Sequence, residues 1–207
     1  MSATRPTSAD AALEWDLASA PMPGENVIGD GAFVEFAHEH VVAAAIDGVG
    51  HGAAAAAAAR VAMRSLQRAA THDLGTMVRD CHVALTRTRG AVLSLARIDY
   101  REQTLTWVGI GNVEGRLVRA GDRLRPAESL LLHGGVVGHA LPRLTPQTTS
   151  VARGDLLIFA TDGIRREFAD SLVPSGSCRD IAERILRDYA LGSDDALVLV
   201  ARYLGRA

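Results

Sequence analysis

Apolar and polar positions along this chain fall into two patterns. Short apolar runs bounded by glycine, proline or charge predict strands. They are Leu13–Ala18, Phe33–Ala37, Val41–Ile46, Ala91–Asp99, Thr104–Gly109, Gly115–Arg119, Leu130–Leu132, Thr148–Ala152, Leu156–Ala160 and Ala196–Tyr203. Longer stretches predict helices. Gly52–Ala70 opens with seven successive alanines, Ala53–Ala59, then carries Val61, Met63 and Leu66. Alanine has the highest helix propensity. Leu74–Thr86 predicts a second helix, ending near Arg89-Gly90. Arg179–Tyr189 predicts a third, with Ile181, Ile185 and Leu186 on one face. Met1–Asp10 is expected to be a flexible tail. The order is strands, two helices, many strands, a helix and a strand. That order predicts α+β layers rather than alternating βαβ units. No repeat or linker divides the chain, so residues 1–207 are expected to form one domain.

Phe33–Ala37 and Val41–Ile46 flank His38-Glu39-His40. A turn centred between His38 and Glu39 sets Asp30 directly opposite Asp47, with Cα atoms about 4.5–5.5 Å apart. His-Glu lacks the positive-φ residues of favoured two-residue hairpins, which leaves a slip of a residue or two open.

Composition narrows the function classes. The apolar fraction of 48% supports a large core and argues against disorder. A net charge of −2, a pI near 6.4 and no basic patch argue against a nucleic-acid partner. Aromatics at 4% leave few stacking platforms for single strands. Cys81 and Cys178 form no CxxC, which suits a reducing compartment, although one disulfide stays open. The tail has no apolar run of the signal-peptide kind. Val41–Met63 is interrupted by Asp47, His51 and Arg60, too often for a membrane span. A cytoplasmic protein without a membrane partner is expected.

Four aspartates mark predicted strand ends: Gly29-Asp30, Asp47-Gly48-Val49-Gly50-His51-Gly52, Thr161-Asp162-Gly163 and Asp194-Asp195. One rim lined with carboxylates would hold Mg²⁺ or Mn²⁺, which favour carboxylate, carbonyl and water oxygens. Such ions lower the pKa of bound water and neutralise phosphoryl charge. Gly48 could turn its carbonyl toward a cation because no Cβ obstructs the approach. Singly, each motif has a plainer reading. Asp-Gly is a common turn, Asp194-Asp195 a common strand start, and Asp47–Gly52 could be an anion nest at a helix N-terminus.

In this order the motifs resemble those of the metal-dependent serine/threonine protein phosphatases. The likeness is to their bacterial branch acting on regulators of alternative sigma factors, and within it to short, single-domain phosphatases of the stressosome pathway. It runs from about Val27 to Leu204, supported by Arg89-Gly90-Ala91, Gly109-Ile110-Gly111-Asn112-Val113 and the glycine loop through Gly138. The resemblance implies a four-layer α-β-β-α sandwich, two mostly antiparallel sheets between helical pairs. It implies two Mn²⁺ or Mg²⁺ ions in a cleft at one end, and metal-activated water as nucleophile. Asp47 would bridge the ions with the Gly48 carbonyl as a further ligand. Asp30 would face one ion, and Asp162 and Asp194 the other. The implied partners are phosphorylated stressosome or anti-sigma pathway proteins. With some two dozen residues before Gly29, no sensor domain is expected ahead of the catalytic one.

Departures from the family pattern are specific. Ala196-Leu197 replaces the usual Thr or Ser after the last aspartate, so Asp195 remains an alternate to Asp194. His51 comes two residues after the place where some relatives carry a general-acid histidine. It is either a weak general-acid candidate or a helix-start residue touching backbone or solvent. No counterpart of the phosphate-binding arginine of some relatives is evident, because Arg5 falls in the expected tail.

Other residues have plainer expectations. His38 and His40 flank a turn and are expected to be exposed. His72 and His82 are expected in solvent or capping roles, Cys81 in a helix core. Cys178 stands before a helix, where a thiol pKa could fall. Arg60, Arg64 and Arg68, at helical spacing, are expected to form a solvated face. The loop His133–Pro142 is the candidate for partner recognition. Two competing functions remain. Asp47-Gly48-Val49-Gly50 has the spacing of a box in histidine-kinase-like ATP-binding proteins, and a phosphatase-like binding module with impaired catalysis would keep the fold alone.

Overall fold

The computed structural model describes residues 12–121 and 127–205. The expected tail Met1–Asp10, with Arg5, lies outside them. Two sheets form the centre. One holds β1 (Leu13–Ala20), β11 (Ala196–Tyr203), β10 (Leu156–Ala160), β6 (Glu114–Val118) and β7 (Glu128–Ser129), in that spatial order. The other holds β2 (Asp30–Phe36), β3 (His40–Gly48), β4 (Ala91–Asp99), β5 (Thr104–Ile110) and β8 (Leu132–His133), with β9 (Gln147–Ser150) also on β5. Every pairing is antiparallel except β5 with β8.

Strands buried on both faces explain the continuous apolar runs. On β3, Val41, Ala43 and Ala45 pack between the sheets, while Val42, Ala44 and Ile46 face the helices. On β11, Leu197, Leu199, Ala201 and Tyr203 fill the same inter-sheet core, and Val198 and Val200 face the opposite outer layer. Helices α1 (Gly52–Arg68) and α2 (Leu74–Leu85) cover the β2–β5 sheet through Ala58, Ala62, Leu66, Met77 and Cys81. Helix α3 (Cys178–Tyr189) covers the other through Ile181 and Ile185. Side chains fix the helix starts. Asp73 caps α2 by accepting the Thr76 N–H at 3.0 Å, and Ser177 with Asp180 forms a capping box on α3.

The four layers agree with expectation, as do the two mainly antiparallel sheets. The second outer layer is thinner than a helical pair: α3 is accompanied by a 3-10 turn at Arg166–Ala169. Leu130–Leu132 is not one strand. The chain leaves β7 at Ser129 and enters β8, in the other sheet, at Leu132, so these leucines lie at the crossing.

His40 is buried rather than exposed, because it opens β3 beneath the end of α1. Its Nε2–H donates to the Ala70 carbonyl at 2.9 Å, and its Nδ1 accepts from Arg97 at 2.9 Å. The Cys178 thiol does not become acidic. Burial, reinforced by the Glu14 carboxylate, pushes it up to about 12. Both cysteines are free and buried. Among the described residues no helix is long and apolar enough to cross a membrane.

Candidate metal centre

The β2–β3 pairing places Asp30 opposite Asp47, as the turn at His38-Glu39 predicts. The register holds although neither turn residue has a positive φ. Asp30 shares its face with Ala32, Val34 and Phe36, and Asp47 shares its face with Val41, Ala43 and Ala45. All six pack between the sheets, so alternation aims both carboxylates at the opposite sheet. There, β10 ends at Ala160, just before Thr161-Asp162-Gly163, and β11 begins at Ala196, just after Asp194-Asp195. Because β10 and β11 are antiparallel neighbours, the end of one meets the start of the other.

Thr161 joins the two sheets. Its hydroxyl donates to Asp30 Oδ2 at 2.7 Å and accepts the Leu197 N–H at 2.8 Å. Asn112, in the turn after β5, donates from Nδ2 to Asp162 Oδ2 at 2.6 Å. Asp195 is 3% exposed, and its carboxylate oxygens accept the N–H groups of Met22 and Gly29, each at 2.8 Å. Asp194 accepts the Asp195 N–H through Oδ1. Two glycines are sterically required. A Cβ at Gly48 would overlap the Ala55 carbonyl of α1, and one at Gly163 would overlap the Asp195 carbonyl. Close packing of the backbone therefore accounts for both Asp-Gly pairs.

The electrostatics are those of anions held together. Burial, then the neighbouring charges of Asp30, Asp162 and Asp194, raises the Asp47 carboxyl to about 8. Burial raises Asp30 to about 7; the Thr161 hydrogen bond opposes the rise, and Asp195, Asp162 and Asp194 add to it. Asp162 is raised by burial and by Asp194. The neighbours that act most strongly on Asp30 and Asp47 include no cationic side chain. A hard divalent cation fits this donor set, since it supplies the missing positive charge to oxygen ligands. Among the described residues no three acidic, histidine or cysteine side chains stand in ligand geometry about one point.

His51 lies at the rim and caps nothing with its side chain. Its Nδ1 meets Glu25 Oε1 at 2.7 Å, both groups partly exposed. The side chain stands in solvent at the helix start, as the plainer reading expects, and the Glu25 carboxylate is an added partner. Sequence reasoning assigned no role to Asn112, Thr161 or Glu25. Asn112 lies in Gly109–Val113 and Thr161 in Thr161-Asp162-Gly163, where polar side chains are natural holders of neighbouring aspartates. Glu25, in an irregular loop, gave no signal.

The expected recognition loop is partly structural. Val137 is buried and exchanges both backbone hydrogen bonds with Ala91, at 2.8 and 3.0 Å. The Gly138 N–H donates to His82 Nδ1 at 2.9 Å, so His82 ties this loop to α2 instead of taking the expected solvent or capping role. Gly134, His139 and Ala140 remain exposed.

Comparison with known proteins gives a consistent result. Residues 37–204 match the family described as Stage II sporulation protein E (SpoIIE). The chain is 22% identical over 178 residues to phosphoserine phosphatase RsbX of Bacillus subtilis (strain 168), covering 86% of this chain and 87% of that protein. A chain described under "The bacterial stressosome: a modular system that has been adapted to control secondary messenger signaling" superposes with a TM-score of 0.85 at 29% identity, covering 92% of this chain and 99% of that one. RsbX in complex with magnesium superposes with a TM-score of 0.81 at 20% identity, over 92% and 95% of the two chains.

Proposed function

Since the chain belongs to the SpoIIE family, whose domains are PP2C-type phosphatases, we propose that it is a metal-dependent protein phosphatase acting on phosphoserine or phosphothreonine in sigma-factor-regulating proteins. The observation that carries this reading is the meeting of Asp30 and Asp47 from one sheet with Asp162 and Asp194 from the other. This gathers carboxylates at one end of the two sheets, with no cationic side chain among their strongest neighbours. Asp30, Asp47, the Gly48 carbonyl, Asp162 and Asp194 would hold two Mn²⁺ or Mg²⁺ ions. Asp194 is preferred to Asp195 because the Asp195 oxygens already accept two backbone N–H groups. When bound, the cations supply charge neutralisation and an activated water. Thr161 and Asn112 fix the orientation of Asp30 and Asp162, as groups behind metal ligands commonly do.

The partner is a phosphorylated protein of the stressosome or an anti-sigma pathway, met at the exposed part of His133–Pro142. The ATP-binding alternative needs a helix ahead of Asp47 that presents ligands to a nucleotide. From Leu13 to Gly48 the chain holds three strands and connecting loops instead. The test is hydrolysis of p-nitrophenyl phosphate and of phosphorylated regulator proteins. Mn²⁺ should be required and a chelator should abolish turnover. Equal rates with chelator and with Mn²⁺ would sink the proposal.

A further inference from the structure

Arg89 stands where α2 gives way to β4, beside the loop that follows Asp47. The Thr88 hydroxyl accepts the Gly90 N–H at 3.0 Å, and Gly90, at φ +79, folds the chain back on itself. The Gly90 carbonyl then accepts the Val49 N–H at 3.1 Å, which fastens this corner to the Asp47–Gly52 loop. Gly50 passes directly under the guanidinium: a Cβ there would lie 2.8 Å from Arg89 Nη1. Arg89 is exposed, and among the described residues its guanidinium has no hydrogen bond or ion pair. Two other arginines toward this end are engaged. Arg116 and Arg166 both face Glu114, at 2.9 and 3.6 Å.

An unpaired guanidinium beside a cleft of carboxylates is no counterion for them, since none of them engages it. Its planar fork matches two oxygens of a tetrahedral anion. A phosphoryl group entering the cleft brings negative charge among four aspartates. Bound cations would offset part of that charge, and a fork at the rim would hold phosphoryl oxygens.

We propose that Arg89 binds the phosphoryl oxygens of the substrate. This inference rests on the phosphatase reading above. Arg89 touches neither the aspartates nor the groups that hold them, so its effect is on phosphate and not on metal.

The experiment uses the whole chain loaded with Mn²⁺ and inorganic phosphate as the probe. Phosphate affinity is measured by calorimetry, beside KM and kcat for p-nitrophenyl phosphate. Arg89→Ala should weaken phosphate binding about tenfold, the scale of one charge-assisted contact. KM should rise by a similar factor, with Mn²⁺ affinity and melting temperature unchanged. Arg89→Lys should recover part of the loss, because it keeps the charge and loses the fork. Unchanged phosphate affinity in Arg89→Ala overturns the inference, as does a loss of Mn²⁺ affinity in step with phosphate. Wild-type protein that binds phosphate through Arg89 yet hydrolyses nothing would defeat the phosphatase reading and leave this one standing.

Discussion

Asp30 and Asp195 are both buried aspartates at the same end of the molecule, and their surroundings treat them in opposite ways. Asp195 has each carboxylate oxygen filled by a backbone N–H, from Met22 and Gly29, and so ties the loop before β2 to the start of β11. Asp30 accepts one hydroxyl and faces Asp47, for which no hydrogen bond is found among the described residues. A carboxylate whose oxygens are filled by N–H groups is part of the framework. Carboxylates left facing one another, with their ionised forms disfavoured, are on the proposed reading the ones that would hold a cation.

The strongest way to break this comparison is Asp47→Asn. Mn²⁺-dependent turnover should fall by more than about a hundredfold, past the range typical of groups that merely orient a ligand. The metal-free protein should melt no lower than wild type, because a repelling charge is removed. A metal-free protein clearly destabilised by this change would make Asp47 a framework residue.

Asp194→Ala and Asp195→Ala should separate in the same terms. Loss of Asp195 leaves two backbone N–H groups without their acceptor, at a cost of about 1–3 kcal/mol each where water cannot replace it. Its melting temperature should drop. Asp194→Ala should keep its melting temperature and lose Mn²⁺-dependent turnover. The reverse pattern would move the ligand one residue along the chain.

The smallest effect is on pH dependence. Asp30 and Asp47 titrate higher in the folded than in the unfolded chain, so between those values the folded state binds more protons. Stability of the metal-free protein should therefore fall as pH rises from about 5 to about 9, and melting in chelator measures it. Saturating Mn²⁺ should flatten or reverse the trend, since it binds the deprotonated carboxylates. A metal-free protein that gains stability over this range would show that the two groups are not held in mutual repulsion.

Much of this was legible in the sequence. Patterning located the principal strands because both faces of most are buried, which leaves uninterrupted apolar runs such as Leu156–Ala160 and Ala196–Tyr203. The turn position pointed to the hairpin register that sets Asp30 opposite Asp47, with a slip of a residue or two left open by the His-Glu turn. What escaped was long-range. Nothing local in Leu130–Leu132 shows that the chain changes sheets there. His40 looks like a turn residue until α1 closes over it, and Glu25 meets His51 only in three dimensions. The Asp-Gly pairs were visible, but not the carbonyls of Ala55 and Asp195 that exclude a side chain at Gly48 and Gly163.

The pairing of β1 with β11 has a consequence in time. Among the described residues β1 pairs with β11 alone, and Leu13 pairs with Tyr203. During synthesis β1 emerges early and has no partner until β11 has left the ribosome. The β2–β5 sheet and its two helices precede that moment and can form around local hairpins, because close sequence neighbours pair fastest. Asp30 and Asp47 would then be in register well before Asp162 and Asp194 arrive to face them. On the proposed reading, the full set of four carboxylates would thus exist only in molecules whose translation has passed Asp194.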